Sequence, residues 1–335
     1  MIDRGHDPGA DVARQAVEGL GGAEQPVRVG DALVRFGTSS WTDPTLLEEG
    51  VFYPPEAHTP EARLRHYASR FSVVEVDSSY YALPSRRNAE LWVARTPAGF
   101  AFDIKAHALM TGQPTEVSRL PADLKRALPE ATAAKQRIYA KDLPPELRAQ
   151  IWERFRDAIE PLHAAGKLGA VMLQYPRWVT PGDRARAGIA EAAERLDGLP
   201  CAVEFRSAAW FAGAEARGTL RFLEEHGLSY VMVDEPQGFA SSVPPLAAVT
   251  AKGLAVVRLH GRRAEAWEKQ GIPVVERFRY LYDAAELGEW VPRILGAAEQ
   301  AREVHVLMNN CYANYGTTNA LELAAMVRKA YAERD

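Results

Sequence analysis

Eight short apolar segments, each ending in polar or charged residues, constrain the fold of this chain more than any other feature. Most of them are followed by a helical pattern. This alternation predicts a closed parallel (β/α)8 TIM barrel of the α/β class, in which the carboxyl ends of the strands form the active face. The segments are residues 34–39, 73–79, 100–106, 170–175, 201–206, 229–234, 255–260 and 304–310.

The length of the chain, 335 residues, suits one barrel with additions, because such a barrel takes about 250 residues. We therefore predict a single barrel domain over residues 33–335. Residues 1–32 are rich in Gly, Asp and Ala, and they predict an N-terminal arm that is either disordered or carries a short peripheral helix at 12–20. A long insertion, at about 108–145, follows the third strand.

Composition excludes several classes of protein. The chain is 47% hydrophobic and 25% charged, with a formal net charge of −4, so it has no overall basic footprint for nonspecific nucleic-acid binding. The composition still allows a local basic groove that binds nucleic acid. Two cysteines cannot form a disulfide framework. The apolar runs are too short to span a bilayer. The first residues lack the apolar core of a secretion signal. We expect a cytoplasmic protein without membrane contact.

Side-chain alternation along the strands separates an apolar face from a polar one. In the second segment, for example, Glu75 and Asp77 lie opposite Val74 and Val76. Charges inside a barrel are costly unless they are paired or border a ligand, so the polar face predicts either an ion-pair network or a ligand pocket at the carboxyl-terminal rim. Its charged members are Glu75, Asp77, Asp103, Lys105, Glu204, Arg206, Asp234 and Arg258.

The insertion after the third strand has two open interpretations. Its polar part, residues 111–142, precedes a long amphipathic helix predicted at 145–165. Because the insertion emerges beside the active face, it is either a lid or a solvated surface decoration. Its cationic residues are Lys125, Arg126, Lys135, Arg137 and Lys141.

Four residues of the polar face are candidate catalytic groups. Glu204 and Asp234 come from adjacent strands and are predicted to form an acid–base pair. His260, on the next strand, would complete that group. Lys105 would either hold an anion or form a Schiff base, and pairing with a carboxylate is its structural alternative.

Further residues are candidates for ligand binding. Arg206 and Arg258 suit bidentate recognition of a phosphate or carboxylate, or else neutralise neighbouring acids. Aromatic residues beyond the strand ends would stack on a ligand or pack beneath loops, and the paired asparagines would orient a ligand or cap a loop. The remaining candidates are Trp41, Asp77, Tyr80, Gln174, Trp210, Asn309 and Asn310. No phosphate-binding loop, dinucleotide fingerprint or metal motif identifies a cofactor.

Longer strings in a fixed order carry a family resemblance. They are GTSSW at 37–41, VEVDSSYY at 74–81, FDIKA at 102–106, LQYP at 173–176, AVEFR at 202–206, VRLHGR at 257–262 and NN at 309–310. Over residues 34–330 the chain resembles the DUF72 family, also called YecE-like proteins. The resemblance implies a TIM barrel and supplies no activity.

Three positions depart from the pattern of that family. Ser40 stands where the family usually has Gly, and Asp77 where it has Asn. Thr111 and Gly112 occupy the place of a family Thr-His pair, and His107 lies nearer the strand, so the role of that histidine does not transfer.

Three functions remain open. The leading hypothesis is an enzyme that uses acid–base chemistry on a small polar, anionic ligand. A metal-dependent phosphodiesterase resembling endonuclease IV-like barrels is the second, by fold analogy alone; the rim offers it only His260 and His107 as histidine ligands. A noncatalytic ligand-binding or regulatory protein is the third.

Overall fold

A computed structural model describes residues 8–48 and 50–334. Within these residues, eight parallel strands form a closed barrel with helices between them, which confirms the predicted fold. In the order β2-β11-β10-β9-β8-β7-β4-β3 each strand pairs with the next, and β3 pairs back with β2. The strands are β1 (Val27–Val29), β2 (Ala32–Thr38), β3 (Val73–Val76), β4 (Ala101–Lys105), β5 (Thr115–Glu116), β6 (Arg137–Ile138), β7 (Leu168–Tyr175), β8 (Cys201–Phe205), β9 (Ser229–Asp234), β10 (Leu254–Leu259) and β11 (Glu303–Met308).

Helices occupy most of the connections. They are α1 (Pro8–Ala16), α2 (Pro60–Ala68), α3 (Ser78–Tyr81), α4 (Arg86–Arg95), α5 (Ala122–Arg126), α6 (Glu130–Ala133), α7 (Pro145–Ala164), α8 (Asp183–Arg195), α9 (Glu215–Glu225), α10 (Ala264–Trp267), α11 (Val274–Arg277), α12 (Ala284–Gly288), α13 (Val291–Ala298) and α14 (Tyr315–Ala332). Short 3₁₀ turns lie at Ala108–Met110, Val117–Arg119, Ala140–Asp142 and Ala208–Phe211.

The chain packs as two compact units, which are described separately below. The second unit is Val76–Tyr230. The first unit consists of the described residues up to Glu75 and from Val231 onward.

The strand segments agree with the sequence pattern to within a few residues. The largest difference is in the second segment, predicted to run to residue 79, because β3 ends at Val76. Asp77 has helical backbone angles and precedes α3. Asp77 therefore lies outside the sheet. Strand alternation determines the face on which Glu75 lies, but it does not apply to Asp77.

The predicted orientation of the polar face is confirmed by an ion pair in the first unit. Arg258 Nη2 donates to Glu75 Oε1 at 2.9 Å, and Arg258 Nε lies 2.8 Å from Glu75 Oε2. Both side chains are almost fully buried. Because β3 and β10 are not neighbours in the sheet, their side chains meet through the barrel interior.

The N-terminal segment is attached to the first unit by a helix. Helix α1 begins at Pro8, four residues before the predicted position, and its Ala13 is fully buried. Asn314 Nδ2 donates to the Ala10 carbonyl, and Thr318 Oγ1 donates to the Ala13 carbonyl, each at 3.0 Å. Residues 1–7 of the predicted arm lie outside the described residues. The segment from Pro8 onward is therefore a docked helix.

Two helices near the C-terminus are separated by a short break. Asp283 and Glu286 form a capping box at the start of α12, α12 ends at Gly288, and α13 begins at Val291. Pro292 explains the break, because a proline ring clashes with the carbonyl four residues earlier, here Gly288.

The insertion has a small core of its own in the second unit. The strands β5 and β6 pair antiparallel, and Leu120, Leu124 and Ile138 are buried. Its charges make local contacts; Lys135 Nζ, for example, lies 2.8 Å from Asp142 Oδ1. These contacts favour the surface-decoration interpretation for most of its length.

Candidate functional site

Polar side chains collect at the carboxyl ends of adjacent strands in the second unit. Lys105 is the last residue of β4, Gln174 is the penultimate residue of β7, and Arg206 follows β8. The register places Gln174 level with Glu204. We name this group the Glu204 cluster, and its members are Tyr80, Lys105, Gln113, Gln174, Glu204 and Arg206.

A buried carboxylate lies at the centre of the Glu204 cluster. Glu204 is only 1% exposed. Its Oε1 accepts a hydrogen bond from Gln174 Nε2 at 2.7 Å and lies 2.9 Å from Arg206 Nε. The Arg206 side chain is 18% exposed, so its guanidinium reaches the surface while its Nε fixes the carboxylate.

The second cation of the Glu204 cluster is held by an aromatic ring. Lys105 Nζ lies 5.0 Å from the centroid of Tyr80, a distance at which the ring attracts a cation. Tyr80 OH donates to Gln113 Oε1 at 2.7 Å, and Gln113 Nε2 donates to the Gln174 carbonyl at 3.0 Å. Burial raises the pKa of Tyr80 to about 12, so its hydroxyl stays protonated and keeps this bond.

A second carboxylate, Asp234, ends β9 in the first unit. Among the described residues it accepts from four donors: Arg262 Nε (2.9 Å) and Nη2 (2.7 Å), Tyr282 OH (3.1 Å) and Trp290 Nε1 (2.5 Å). We name Asp234, Arg262, Tyr282 and Trp290 the Asp234 cluster. Glu289, whose Oε2 lies 2.8 Å from Arg262 Nη2, extends it.

Local backbone geometry presents Arg262 to this carboxylate. Gly261 has φ +87°, and a Cβ there would lie 2.7 Å from Tyr280 Cβ. Only glycine therefore fits this turn without displacing Tyr280. The hydrogen bonds from Arg262 to Asp234 and Glu289 raise the pKa of Arg262, which keeps it charged.

The donors around Asp234 favour a structural role over the predicted acid–base role. Three side chains donate to its two carboxylate oxygens: Arg262 gives two hydrogen bonds, and the buried Tyr282 and Trp290 give one each. We therefore assign Asp234 to holding the loop and helix around it.

The predicted histidine and asparagines of the first unit are largely buried. Asn309 Nδ2 lies 2.7 Å from His260 Nδ1, and His260 is fully buried. Asn310, also fully buried, donates to the Tyr280 carbonyl at 2.8 Å and to Asn319 Oδ1 at 2.9 Å. Asn310 thus fastens the loop before α12 to α14, in keeping with its loop-capping alternative.

Two tryptophans and an arginine predicted to bind ligand have structural partners. Trp210 is fully buried, its ring centroid lies 4.5 Å from that of Phe205, and its Nε1 donates to the Val179 carbonyl. Full burial corrects its predicted ligand contact to core packing. Trp41 is 8% exposed, and its carbonyl accepts from Tyr53 OH. Arg258 is the partner of Glu75 described above.

Sequence reasoning missed Gln113, Arg262, Tyr282 and Trp290. The string VRLHGR contains Arg262, and its glycine was a usable sign of a turn that redirects the next side chain. Gln113 belongs to the insertion and carries no strand pattern, so only folding brings it to Tyr80.

Neither histidine of the metal-dependent hypothesis has a suitable ligand set. Burial lowers the pKa of His107 to about 4, and its Nδ1 accepts from the Leu109 amide. Among the described residues, no three His, Cys, Asp or Glu side chains converge in a way that could hold a metal ion. In the same residues, no helix has the length and apolar character needed to cross a bilayer.

Comparisons with known proteins agree on one family. The profile described as "Protein of unknown function DUF72" matches residues 35–334. The UPF0759 protein YunF of Bacillus subtilis (strain 168) is 30% identical over 281 residues, which cover 83% of this chain and 89% of that protein.

Two solved structures are similar over most of the chain. A DUF72 family protein from Thermotoga maritima MSB8 has a TM-score of 0.69 at 27% identity and covers 88% of this chain and 98% of its own. A DUF72 family protein from Enterococcus faecalis V583 has a TM-score of 0.68 at 24% identity, with the same coverage. These likenesses support the barrel fold of the chain.

Proposed function

Because the chain belongs to the DUF72 family, whose description assigns no activity, we propose a function from the site itself: an enzyme that binds a small anionic ligand at the Glu204 cluster and uses Glu204 for acid–base chemistry. One observation carries this proposal. Two half-buried cations, Lys105 and Arg206, accompany one buried carboxylate at the carboxyl ends of β4 and β8, the two strands that flank β7.

The two cations suit an anionic group. Arg206 presents a guanidinium with five N–H donors, and its Nε lies 2.9 Å from Glu204 Oε1. Lys105 adds a compact positive charge that Tyr80 holds at the ring face. Phosphate and carboxylate are the anions that arginine and lysine bind most directly.

The environment of Glu204 supports a role in proton transfer. Its carboxylate is positioned by two donors on Oε1, and its burial places it in surroundings of low dielectric, where a proton exchanged with a ligand has a large energetic effect. Asp234 is saturated by its donors and is not part of this proposal. In this proposal the candidates for proton exchange are Glu204 and Lys105, instead of Glu204 and Asp234.

Ligand-induced stabilisation of the full chain tests the binding step. We expect inorganic phosphate, or a small phosphomonoester such as glycerol 3-phosphate, to raise the melting temperature of the natural sequence. Lys105→Met and Arg206→Ala should abolish that rise. Arg221→Ala is the matched control, because its side chain is 75% exposed and pairs with Glu225 one helical turn away.

Turnover tests the catalytic step. Each phosphate- or carboxylate-bearing compound that stabilises the protein is incubated with it and followed by NMR. Glu204→Gln should retain stabilisation by the compound and lose conversion of it. Equal stabilisation of Lys105→Met and the natural sequence would refute the site, and binding without conversion by the natural sequence would replace the enzyme by the noncatalytic alternative.

A further inference from the structure

A groove of about 840 Å³ lies on the outer side of the second unit. Its walls are the facing sides of α7 and α8 and the loops that follow β4 and β7, and we name it the α7–α8 groove. No member of the Glu204 cluster lines it. Its volume is within the range of small-molecule sites, about 300–1,000 Å³.

One wall of the α7–α8 groove presents a tryptophan ring. Trp178 is 56% exposed, and its Nε1 donates to the Gly112 carbonyl at 3.4 Å. The turn that carries it is fixed, because the Val179 amide donates to Pro176 and the Val179 carbonyl accepts from Trp210 Nε1. The indole is therefore held by its edge while much of its surface stays available for stacking.

Cationic groups and a helix terminus lie along the same groove. The first turn of α8 lines it, and Gly182 has no side chain that could cap the amides of that turn. Arg148 and Arg184, both exposed, also line it. Backbone amides at a helix N-terminus together with arginines are a favourable setting for an anion.

A buried hydroxyl supplies an independent indication of a ligand. Tyr175 lines the groove and is only 5% exposed. Within the described part of the chain, its hydroxyl has no hydrogen-bond partner. Burial raises the pKa of Tyr175, so the hydroxyl remains a donor. Such a group is costly in a folded protein unless something outside the chain satisfies it.

We propose that the α7–α8 groove binds a planar aromatic molecule carrying one phosphate, of the nucleoside monophosphate class. The aromatic part stacks on Trp178, the phosphate lies at the first turn of α8 beside Arg184, and a polar atom of the ligand accepts from Tyr175. This site is separate from the Glu204 cluster and does not depend on the function proposed for it.

Calorimetric titration of the full chain with AMP tests the proposal, with adenosine and inorganic phosphate as partial ligands. We expect AMP to bind and each partial ligand to bind at least tenfold more weakly. Trp178→Ala should weaken AMP binding about tenfold, since a base–aromatic stack contributes that much or more. Arg184→Ala should weaken it several-fold, and Asp183→Asn should strengthen it, because Asp183 places a like charge in the same turn.

Tyr175→Phe separates ligand contact from a structural role. We expect this variant to raise the melting temperature of the free protein, by removing an unsatisfied buried hydroxyl, and yet to weaken AMP binding. Arg206→Ala, which is expected to abolish phosphate binding at the Glu204 cluster, separates the two sites, because AMP binding at the α7–α8 groove should persist in it.

Three results would overturn the proposal. They are no AMP binding at millimolar concentration, equal affinity of the natural sequence and Trp178→Ala, and loss of AMP binding in Arg206→Ala. Binding of 2-naphthoate that matches or exceeds AMP would overturn the choice of phosphate in favour of a carboxylate. A short single-stranded oligonucleotide that binds far more tightly than AMP would overturn the choice of a mononucleotide.

Discussion

Two carboxylates at the carboxyl ends of barrel strands, Glu204 and Asp234, have different surroundings although the sequence presents them alike. Glu204 Oε1 accepts a hydrogen bond from Gln174 and lies beside Arg206, and both of these partner side chains are partly exposed. Asp234 accepts from four donors on both oxygens, including the fully buried Trp290.

The difference shows that burial of an acid does not by itself indicate chemistry. A carboxylate whose two oxygens are filled by fixed donors stabilises the elements that carry those donors. A carboxylate whose partners are themselves partly exposed, beside cations, is oriented for a ligand. The burial of the partner side chains distinguishes the two roles.

Removing Asp234 should produce the largest change. Asp234→Ala leaves Arg262, Tyr282 and Trp290 without their acceptor, so we expect a loss of about 4 kcal/mol in unfolding free energy. Denaturation in urea measures it. A loss below 1 kcal/mol would mean that the Asp234 cluster contributes little to stability and would remove the contrast with Glu204.

Acidification should produce the next largest change, through the buried His107. Its folded pKa of about 4 is below the unfolded value of 6.5, so below pH 6.5 the unfolded chain binds a proton that the folded chain does not. His107 therefore lowers stability progressively from about pH 6.5 to 4, by about 3 kcal/mol in all, and has no further effect below.

His107→Gln is the matched variant for this pH dependence. Its unfolding free energy, measured at intervals from pH 7 to 4, should decline less steeply than that of the natural sequence. Parallel profiles for the two proteins would refute the assignment of a neutral, buried His107.

Glu204→Gln should have a smaller effect on stability than Asp234→Ala. An amide of the same shape still accepts from Gln174, and solvent reaches Arg206, so we expect a loss of about 1 kcal/mol. Urea denaturation alongside Asp234→Ala provides the comparison. A loss as large as that of Asp234→Ala would place Glu204 among the structural carboxylates.

Gln113→Ala should have the smallest effect on folding. It removes the two bonds that join Tyr80 to the Gln174 carbonyl, and both side chains are half-buried, so we expect less than about 1 kcal/mol. Phosphate-induced stabilisation should nevertheless decrease, because Tyr80 positions Lys105. Unchanged phosphate-induced stabilisation would show that Gln113 does not contribute to ligand binding at the Glu204 cluster.

The helices show where local sequence signals suffice. Helix α7 begins at its predicted residue and ends one residue before its predicted end, because apolar spacing and terminal residues define it. Helix α1 was displaced by four residues, since its position depends on Asn314 and Thr318, which are about 300 positions away in sequence. Pro292 indicates the break before α13, whereas the continuous apolar pattern around it favours an unbroken helix.

The sequence by itself determined the barrel and the faces of its strands, because strand alternation and helical spacing are local properties. The Glu75–Arg258 pair bears out that alternation through the interior. Only the tertiary structure decided which charged residues are saturated and which border a surface. Partners such as Arg262, Trp290 and Gln113 come from connections with no periodic pattern, and hydrogen bonds between side chains depend on distances that only the folded chain fixes.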